Sequence, residues 1–343
     1  MSKINVLIAG STGYIGVQLT KILVKHNKVN LKYLCGSLSI GKKISYFDKS
    51  LTKYKLPKII KFNKKLLKNI DVIFTALPNG ESQKISKLLL KRNTLIDLSA
   101  DFRLKKASDF LKWYKIKHKA INMINNSIYA LPEIKRNKIK NNKIISCPGC
   151  YPTSILLPLI PLLKKKLISN NNIIIDSKSG YSGAGRSVHK KYKNLNLYES
   201  LSAYGVATHR HNSEIQQELD FSTGKKNNFQ FTPHLTPMFR GILSTIYVDL
   251  KKGVTKNKVN SILNSYYKND MFVNIAKTDT LLSTNDVINT NNCIISVCKS
   301  KFKKKLIILS VIDNLIKGGS GQAVQNMNIV FNFKENEGLN EKN

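Results

Sequence analysis

The chain is poor in acid. Against 57 lysines and arginines stand 20 aspartates and glutamates, a formal net charge of +37 over 343 residues. It also lacks any run of roughly 18 uncharged apolar residues, so no transmembrane helix is expected. Nothing at the N-terminus reads as a secretory leader, because the apolar run Ile4 to Ala9 is short and ends at Gly10. A soluble, unexported, cytoplasmic protein is the expectation. Five cysteines, Cys35, Cys147, Cys150, Cys293 and Cys298, leave one over from any pairing. That count does not suggest a disulfide scaffold and suits a reducing compartment. No second C-x-x-C accompanies Cys147 and Cys150, since four residues separate Cys293 from Cys298. A zinc site of the usual spacing is therefore not expected, and no metal is assigned.

What the chain has in excess is lysine, together with asparagine and isoleucine. Such a charge is one signature of a nucleic-acid or acidic-lipid binder. Here the lysines are spread through loops and helices alike and do not cluster with aromatics. Lys, Asn and Ile share A/T-rich codons, so a compositional origin is favoured. No nucleic-acid or membrane partner is expected, although the positive field attracts anionic small molecules.

The length suits about two domains. Ile4, Val6, Leu7 and Ile8 form a short apolar run, as in a strand buried on both faces. Glycines follow directly. Ile15, Leu19, Ile22 and Leu23 then recur at helical spacing over 14–25. A second strand is read at 31–35, and further strands at 71–75 and 94–98, joined by a helix over 82–91. This predicts a doubly wound parallel sheet of Rossmann type. Beyond Cys150 the pattern changes. An apolar helix starts near Pro152, with Pro158 and Pro161 predicting that it is kinked or short. Strands at 173–177, 229–232, 242–250, 293–298 and 306–312, with a helix at 256–268, predict a second α+β domain with a mixed or antiparallel sheet. A last helix is read at 320–331. The expected division is residues 1–149 as a dinucleotide-binding domain, completed by 318–343, and 150–317 as a catalytic, substrate and oligomerisation domain.

Gly10-Ser11-Thr12-Gly13-Tyr14-Ile15-Gly16 is spaced G-x-x-G-x-x-G between a strand and a helix. Glycines there let the backbone approach a pyrophosphate at a helix N-terminus, and Ser11 and Thr12 add hydroxyls. The second strand ends in Cys35-Gly36-Ser37, with no acid for the ribose hydroxyls; Ser37 and Lys42 instead suit a 2′-phosphate. NADP is favoured. Leu77-Pro78 and Ser99 leave the carboxyl ends of two strands, where such sheets bind ligands.

Cys147-Pro148-Gly149-Cys150 admits a redox pair, half a zinc site, or a lone nucleophile at Cys150. A thiol entering a helix sits where the helix dipole favours the thiolate. His209-Arg210-His211 with Glu214 offers acid–base groups. Ser182-Gly183-Ala184-Gly185-Arg186 is a glycine-rich loop suited to an anion. Arg103 and Arg240 lie in similar non-periodic motifs, as arginines kept for bidentate anion contacts do.

In their joint order these motifs resemble the N-acetyl-γ-glutamyl-phosphate reductase family, within the aspartate-semialdehyde dehydrogenase-like group. Further landmarks are Tyr129-Ala130-Leu131-Pro132-Glu133, Pro148 to Thr153, Thr232 to Gly241 and Asp313 to Asn328. The resemblance covers nearly the whole chain. It implies NADPH-dependent reduction of N-acetyl-γ-glutamyl phosphate through a thioester on Cys150, in arginine biosynthesis. It further implies His209 as acid/base with His211 as fallback. Arg103, Ser182, Arg186, His211, Glu214 and Arg240 become substrate contacts. Gly10 to Gly16, Ser37, Lys42, Leu77, Pro78, Ser99, Gly183, Asn314 and Gln322 become cofactor contacts, and a homo-oligomer (dimer or tetramer) is implied. Departures are Gly36-Ser37 in place of the usual Ser-Arg, Asn79 where many members have His, and Cys147, which the mechanism does not need. The alternatives are an aspartate-semialdehyde dehydrogenase and, in another class, a basic nucleic-acid-binding protein.

Overall fold

The computed structural model describes residues 3–37, 39–186 and 199–339. Two compact units result: Met1–Pro148 with Gly319–Glu341, and Gly149–Gly318.

The first unit contains β1 (Ile4–Ala9), α1 (Tyr14–Leu23), β2 (Val29–Cys35), β3 (Ile59–Ile60), β4 (Val72–Thr75), α2 (Glu81–Ser86) and β5 (Thr94–Asp97). It continues with α3 (Ala107–Tyr114), α4 (Ile121–Ile124), β6 (Ser127–Tyr129), α5 (Pro132–Ile139) and β7 (Ile144–Ser146). The seven strands are all parallel, in the order β3-β2-β1-β4-β5-β7-β6. The doubly wound sheet expected from the apolar runs is thus present. Val6, Leu7 and Ile8 are fully buried, as a strand covered on both faces requires. Strand order reverses between β1 and β4, so the turn after β1 opens at the topological switch point. The helix expected over 82–91 ends at Ser86. Asn93 stops it: its Oδ1 accepts from Leu90 N, and its Nδ2 donates to the Leu67 and Ile70 carbonyls.

The second unit opens with α6 (Cys150–Lys164), followed by β8 (Ile173–Gly180), β9 (Ser202–Ala203), α7 (His211–Thr223), β10 (Phe229–Thr236) and β11 (Ile242–Asp249). Then come α8 (Lys256–Tyr267), β12 (Val273–Ile275), β13 (Cys293–Lys299), β14 (Lys305–Ile312) and a π-helical turn, Ile316–Ser320. The mixed sheet runs β12-β13-β14-β11-β8-β10-β9. Burial alternates along β11, with Ile242, Ser244, Ile246 and Val248 on the covered face under α6. Buried Ser244 is satisfied by Ser154 Oγ at 2.8 Å and Ser177 Oγ at 2.7 Å. After the π-turn, α9 (Gly321–Val330) packs in the first unit on α1, α5 and β5.

Helix α6 corrects the expectation from its prolines. It is 15 residues long and starts at Cys150, not Pro152. Pro161 has no N–H to give the Leu157 carbonyl. That carbonyl instead accepts the Tyr267 hydroxyl of α8 at 2.5 Å. Residues 151–163 are all buried, so packing holds the helix past both prolines. Tyr267→Phe is expected to lower stability by about 1–2 kcal/mol, because it leaves a buried carbonyl unpaired. Chemical denaturation would read this as a lower midpoint at unchanged slope.

Candidate active site

The glycine turn is built so that only glycine fits at two of its three positions. Gly10 has φ +87°, and a Cβ there would lie 2.2 Å from the Ala76 carbonyl oxygen. A Cβ on Gly16 would lie 2.2 Å from the Gly10 oxygen. Gly13 meets nothing closer than 3.8 Å and caps α1 without a side-chain bond. No side chain caps the first turn of α1 and no acid lies in it, so that helix N-terminus suits an incoming anion. This cradle fits a dinucleotide pyrophosphate. The Ser11 hydroxyl turns away to the Cys35 carbonyl at 3.1 Å, whereas Thr12, Tyr14 and Ile15 are half-buried at the turn. Ser37 and Pro78 are exposed and Leu77 is half-buried against Gly10. Lys42 is exposed, its ammonium 4.2 Å from the Tyr46 ring centroid.

Two residues expected at ligands use their polar atoms inside the first unit. Ser99 bonds Asp97 through both its N–H and its hydroxyl. Arg103 is 8% exposed and donates from Nε to the Cys147 carbonyl at 2.9 Å and from Nη2 to the Leu98 carbonyl at 3.2 Å. Its guanidinium ties the chain beyond β5 to the chain beyond β7. Gln322 is fully buried in the first turn of α9.

In the second unit Cys150 is the first residue of α6 and is half-buried, with Gly149 as the cap. The Gly149 N–H donates to Glu214 Oε2 at 3.0 Å. Glu214 is fully buried and its Oε1 lies 3.7 Å from His211 Nε2. The His211 ring lies against Gly149: a Cβ there would be 2.4 Å from Nε2. On the other side, a Cβ on Gly318 would be 2.6 Å from the Cys150 Cβ. Glu214 and His211 thus brace the backbone beside Cys150, a use that spacing alone did not reveal.

His209 sits in an aromatic cage. Its ring meets those of Tyr151, Tyr204, Phe231 and His211 edge-on, with centroids 5.7, 5.4, 5.7 and 4.7 Å away. Nδ1 accepts the His211 N–H at 3.1 Å, so the neutral ring carries its proton on Nε2. Burial, aided by the Arg210 charge, pushes its pKa down to about 4. The unfolded chain then binds a proton between pH 6.5 and 4 that the native one refuses. Stability is expected to fall as pH drops through that window, by at most about 3 kcal/mol before solvent screening of the half-buried ring. Denaturation midpoints at pH 7 and 5 should converge in His209→Asn relative to the parent.

Tyr204 donates to the Tyr151 hydroxyl, and Tyr151 to the His234 carbonyl. Nothing in the spacing of these tyrosines announced the cage, beyond Tyr151 following Cys150. Ser182 Oγ accepts from Asn314 Nδ2 at 3.0 Å, and Asn314 Oδ1 accepts from Gly241 N at 2.7 Å. The Asn314 side chain thus joins two loops of the second unit. A Cβ on Gly183 would sit 3.3 Å from Ser179 Oγ and 3.5 Å from Asn314 Nδ2. Arg186 is exposed, and Arg240 lies 3.5 Å from Asp313.

Cys147 belongs to the first unit, is 1% exposed, and has its thiol pushed up to about 12 by burial. None of the five cysteines is in a disulfide. Cys147→Ser is expected to leave turnover within about twofold of the parent, since burial holds the thiol protonated and out of reach of solvent. A large loss in the steady-state assay would revive the redox reading. Among the described residues no three metal-ligating side chains come together, and no helix is long and apolar enough to cross a membrane.

Residues 5–142 match the family described as semialdehyde dehydrogenase, NAD binding domain, and 150–314 the semialdehyde dehydrogenase, dimerisation domain. The chain therefore belongs to the two-domain semialdehyde dehydrogenase class of oxidoreductases. It is 45% identical to N-acetyl-gamma-glutamyl-phosphate reductase of Thermoanaerobacter pseudethanolicus over 341 residues, 98% of each chain. Identity to that of Desulforamulus reducens is 42% over 345 residues, again 98% of each. Within the class, the chain belongs to the N-acetyl-gamma-glutamyl-phosphate reductase family. Aspartate semialdehyde dehydrogenase II of Vibrio cholerae, solved with ASA, superposes with TM-score 0.70 at 15% identity, covering 97% of this chain and 99% of that one. The Candida albicans enzyme, solved with NADP, gives 0.69 at 14%, covering 96% and 99%. At such identities these two likenesses show the shared fold alone.

Proposed function

We infer that the chain reduces N-acetyl-γ-glutamyl phosphate to N-acetyl-glutamate semialdehyde with NADPH, releasing inorganic phosphate, as a cytosolic step of arginine biosynthesis. The observation that carries this reading is Cys150 at the start of α6, its backbone held by Glu214 and flanked by His211 and Gly318.

The helix N-terminus favours negative charge on the Cys150 sulfur. The thiolate attacks the acyl carbon; the C–S bond forms as the bond to the phosphate oxygen breaks, leaving a thioester. NADPH, which Gly10, Gly13 and Gly16 would hold, would supply the hydride needed to take the thioester carbon to the aldehyde level. As the hemithioacetal collapses, its C–S bond breaks and Cys150 is restored. His209, neutral with its proton on Nε2, suits donation to the acyl oxygen; a neutral imidazole polarises a carbonyl without becoming a charged acid. We assign His211 and Glu214 to holding Gly149, and Arg240 and Arg186 to the substrate's anionic groups. Gly10, Gly13 and Gly16, with Thr12 and Leu77, would hold the cofactor, and Ser37 with Lys42 suits its 2′-phosphate.

Self-association is part of the reading. Ile174 and Tyr247, 49% and 40% exposed, continue across the sheet into Ile307. This apolar row supports pairing with a second copy, in keeping with the match to a dimerisation domain.

The deciding assay is phosphate-dependent oxidation of N-acetyl-glutamate semialdehyde, with NADP and NAD side by side and aspartate semialdehyde as the competing substrate. Turnover of the acetylated substrate with NADP is expected; preference for aspartate semialdehyde would overturn the reading.

A further inference from the structure

We propose that Asp313 is a positioning residue for Arg240, holding the guanidinium in place before the substrate's anionic group arrives. The proposal rests on the assignment of Arg240 to substrate. Asp313 follows β14 and is fully buried. Its Oδ1 accepts from Leu315 N at 2.9 Å and Ile316 N at 3.2 Å. Its Oδ2 accepts from Asn289 N at 2.9 Å and lies 3.5 Å from Arg240 Nη1. The same Nη1 donates to Asn289 Oδ1. One carboxylate thus orders both Arg240 and the residue that shares it.

The backbone of Arg240 is held as firmly. Gly180 N donates to the Gly241 carbonyl at 2.9 Å and Ser182 N to the Phe239 carbonyl at 3.0 Å. Gly180 lets the strands approach so closely that a Cβ there would lie 2.6 Å from Arg240 N. Asn314, next to Asp313, bridges Gly241 N and Ser182 Oγ. The main chain of Asp313 reaches the nucleophile: its carbonyl accepts Gly318 N at 2.9 Å, and Gly318 packs on Cys150. Arginine and nucleophile are thereby referred to one rigid residue. Ordering a long side chain beforehand spares the substrate that entropy on binding. The effect falls on binding, because the contact to Gly318 is made by the Asp313 backbone and survives a side-chain change.

The test is Asp313→Asn in the full enzyme. An amide nitrogen in place of Oδ2 neither accepts from Asn289 N nor attracts the guanidinium. KM for the acyl phosphate is expected to rise about tenfold, with a much smaller change in kcat and an unchanged Kd for NADPH. Asn289→Gly, which keeps the φ of +65° without strain, should raise KM in the same direction and serves if Asp313→Asn does not fold. In an Arg240→Ala background, Asp313→Asn should change KM by less than about twofold. An unchanged KM in both single variants, or an equal effect in both backgrounds, overturns the proposal. An Arg240→Ala enzyme with parental KM instead overturns the assignment of Arg240 to substrate.

Discussion

Cys150→Ser is expected to lower turnover on the order of 10⁴-fold or more while NADPH still binds. A serine hydroxyl at this position is almost entirely protonated, and a helix N-terminus does not bridge the gap to its pKa. It is also a poorer leaving group than a thiolate when the hemithioacetal collapses. Serine is well tolerated where a helix begins, and Cys150 is half-buried, so the fold should persist. Fluorescence titration with NADPH should give a Kd within about twofold of the parent, since the glycine turn belongs to the other unit. Retention of full activity would sink the thioester mechanism.

Gly149→Ala should cost about 10²-fold in kcat/KM for the acyl phosphate, with NADPH affinity unchanged. Backbone strain is not the reason, because Gly149 has φ −67° and ψ 160°, which any residue adopts. The reason is space. The new Cβ would fall 2.4, 2.7 and 2.9 Å from three atoms of the His211 ring. That ring stands between Glu214 and the rings of Tyr151 and His209, so relief requires moving the turn that carries Cys150. Steady-state kinetics beside a thermal melt separates the outcomes. Parental kcat/KM would mean that the Gly149–His211 contact does not set the nucleophile.

Much of the fold was legible because its signals are local. Two-sided burial wrote the inner part of β1, Val6 to Ala9, as an unbroken apolar run, and the glycines after it marked a turn that a Cβ would block. The ends of elements were less legible. α2 stops short because Asn93 reaches back across its exit, and α6 outlasts its prolines because Tyr267 supplies the bond that Pro161 cannot. Helix α7 and the short strands β3, β6, β9 and β12 carry little periodicity, since pairing and packing hold them and their own pattern does not.

The residues by themselves determined that a glycine turn follows the first strand and that Cys150 enters an apolar helix. Both depend on neighbours in the chain. Tertiary structure decided what surrounds that cysteine. Glu214 grips Gly149 from 65 residues away, and Asp313 meets Arg240 across the loops that close the second sheet. Tertiary structure also gave Arg103, read as a ligand for anions, a tie between two strand ends, and Ser99 a bond to Asp97, neither of which the spacing announced. Such partnerships arise only when strand order and helix packing bring distant segments together, and a buried polar group then takes whichever partner satisfies it.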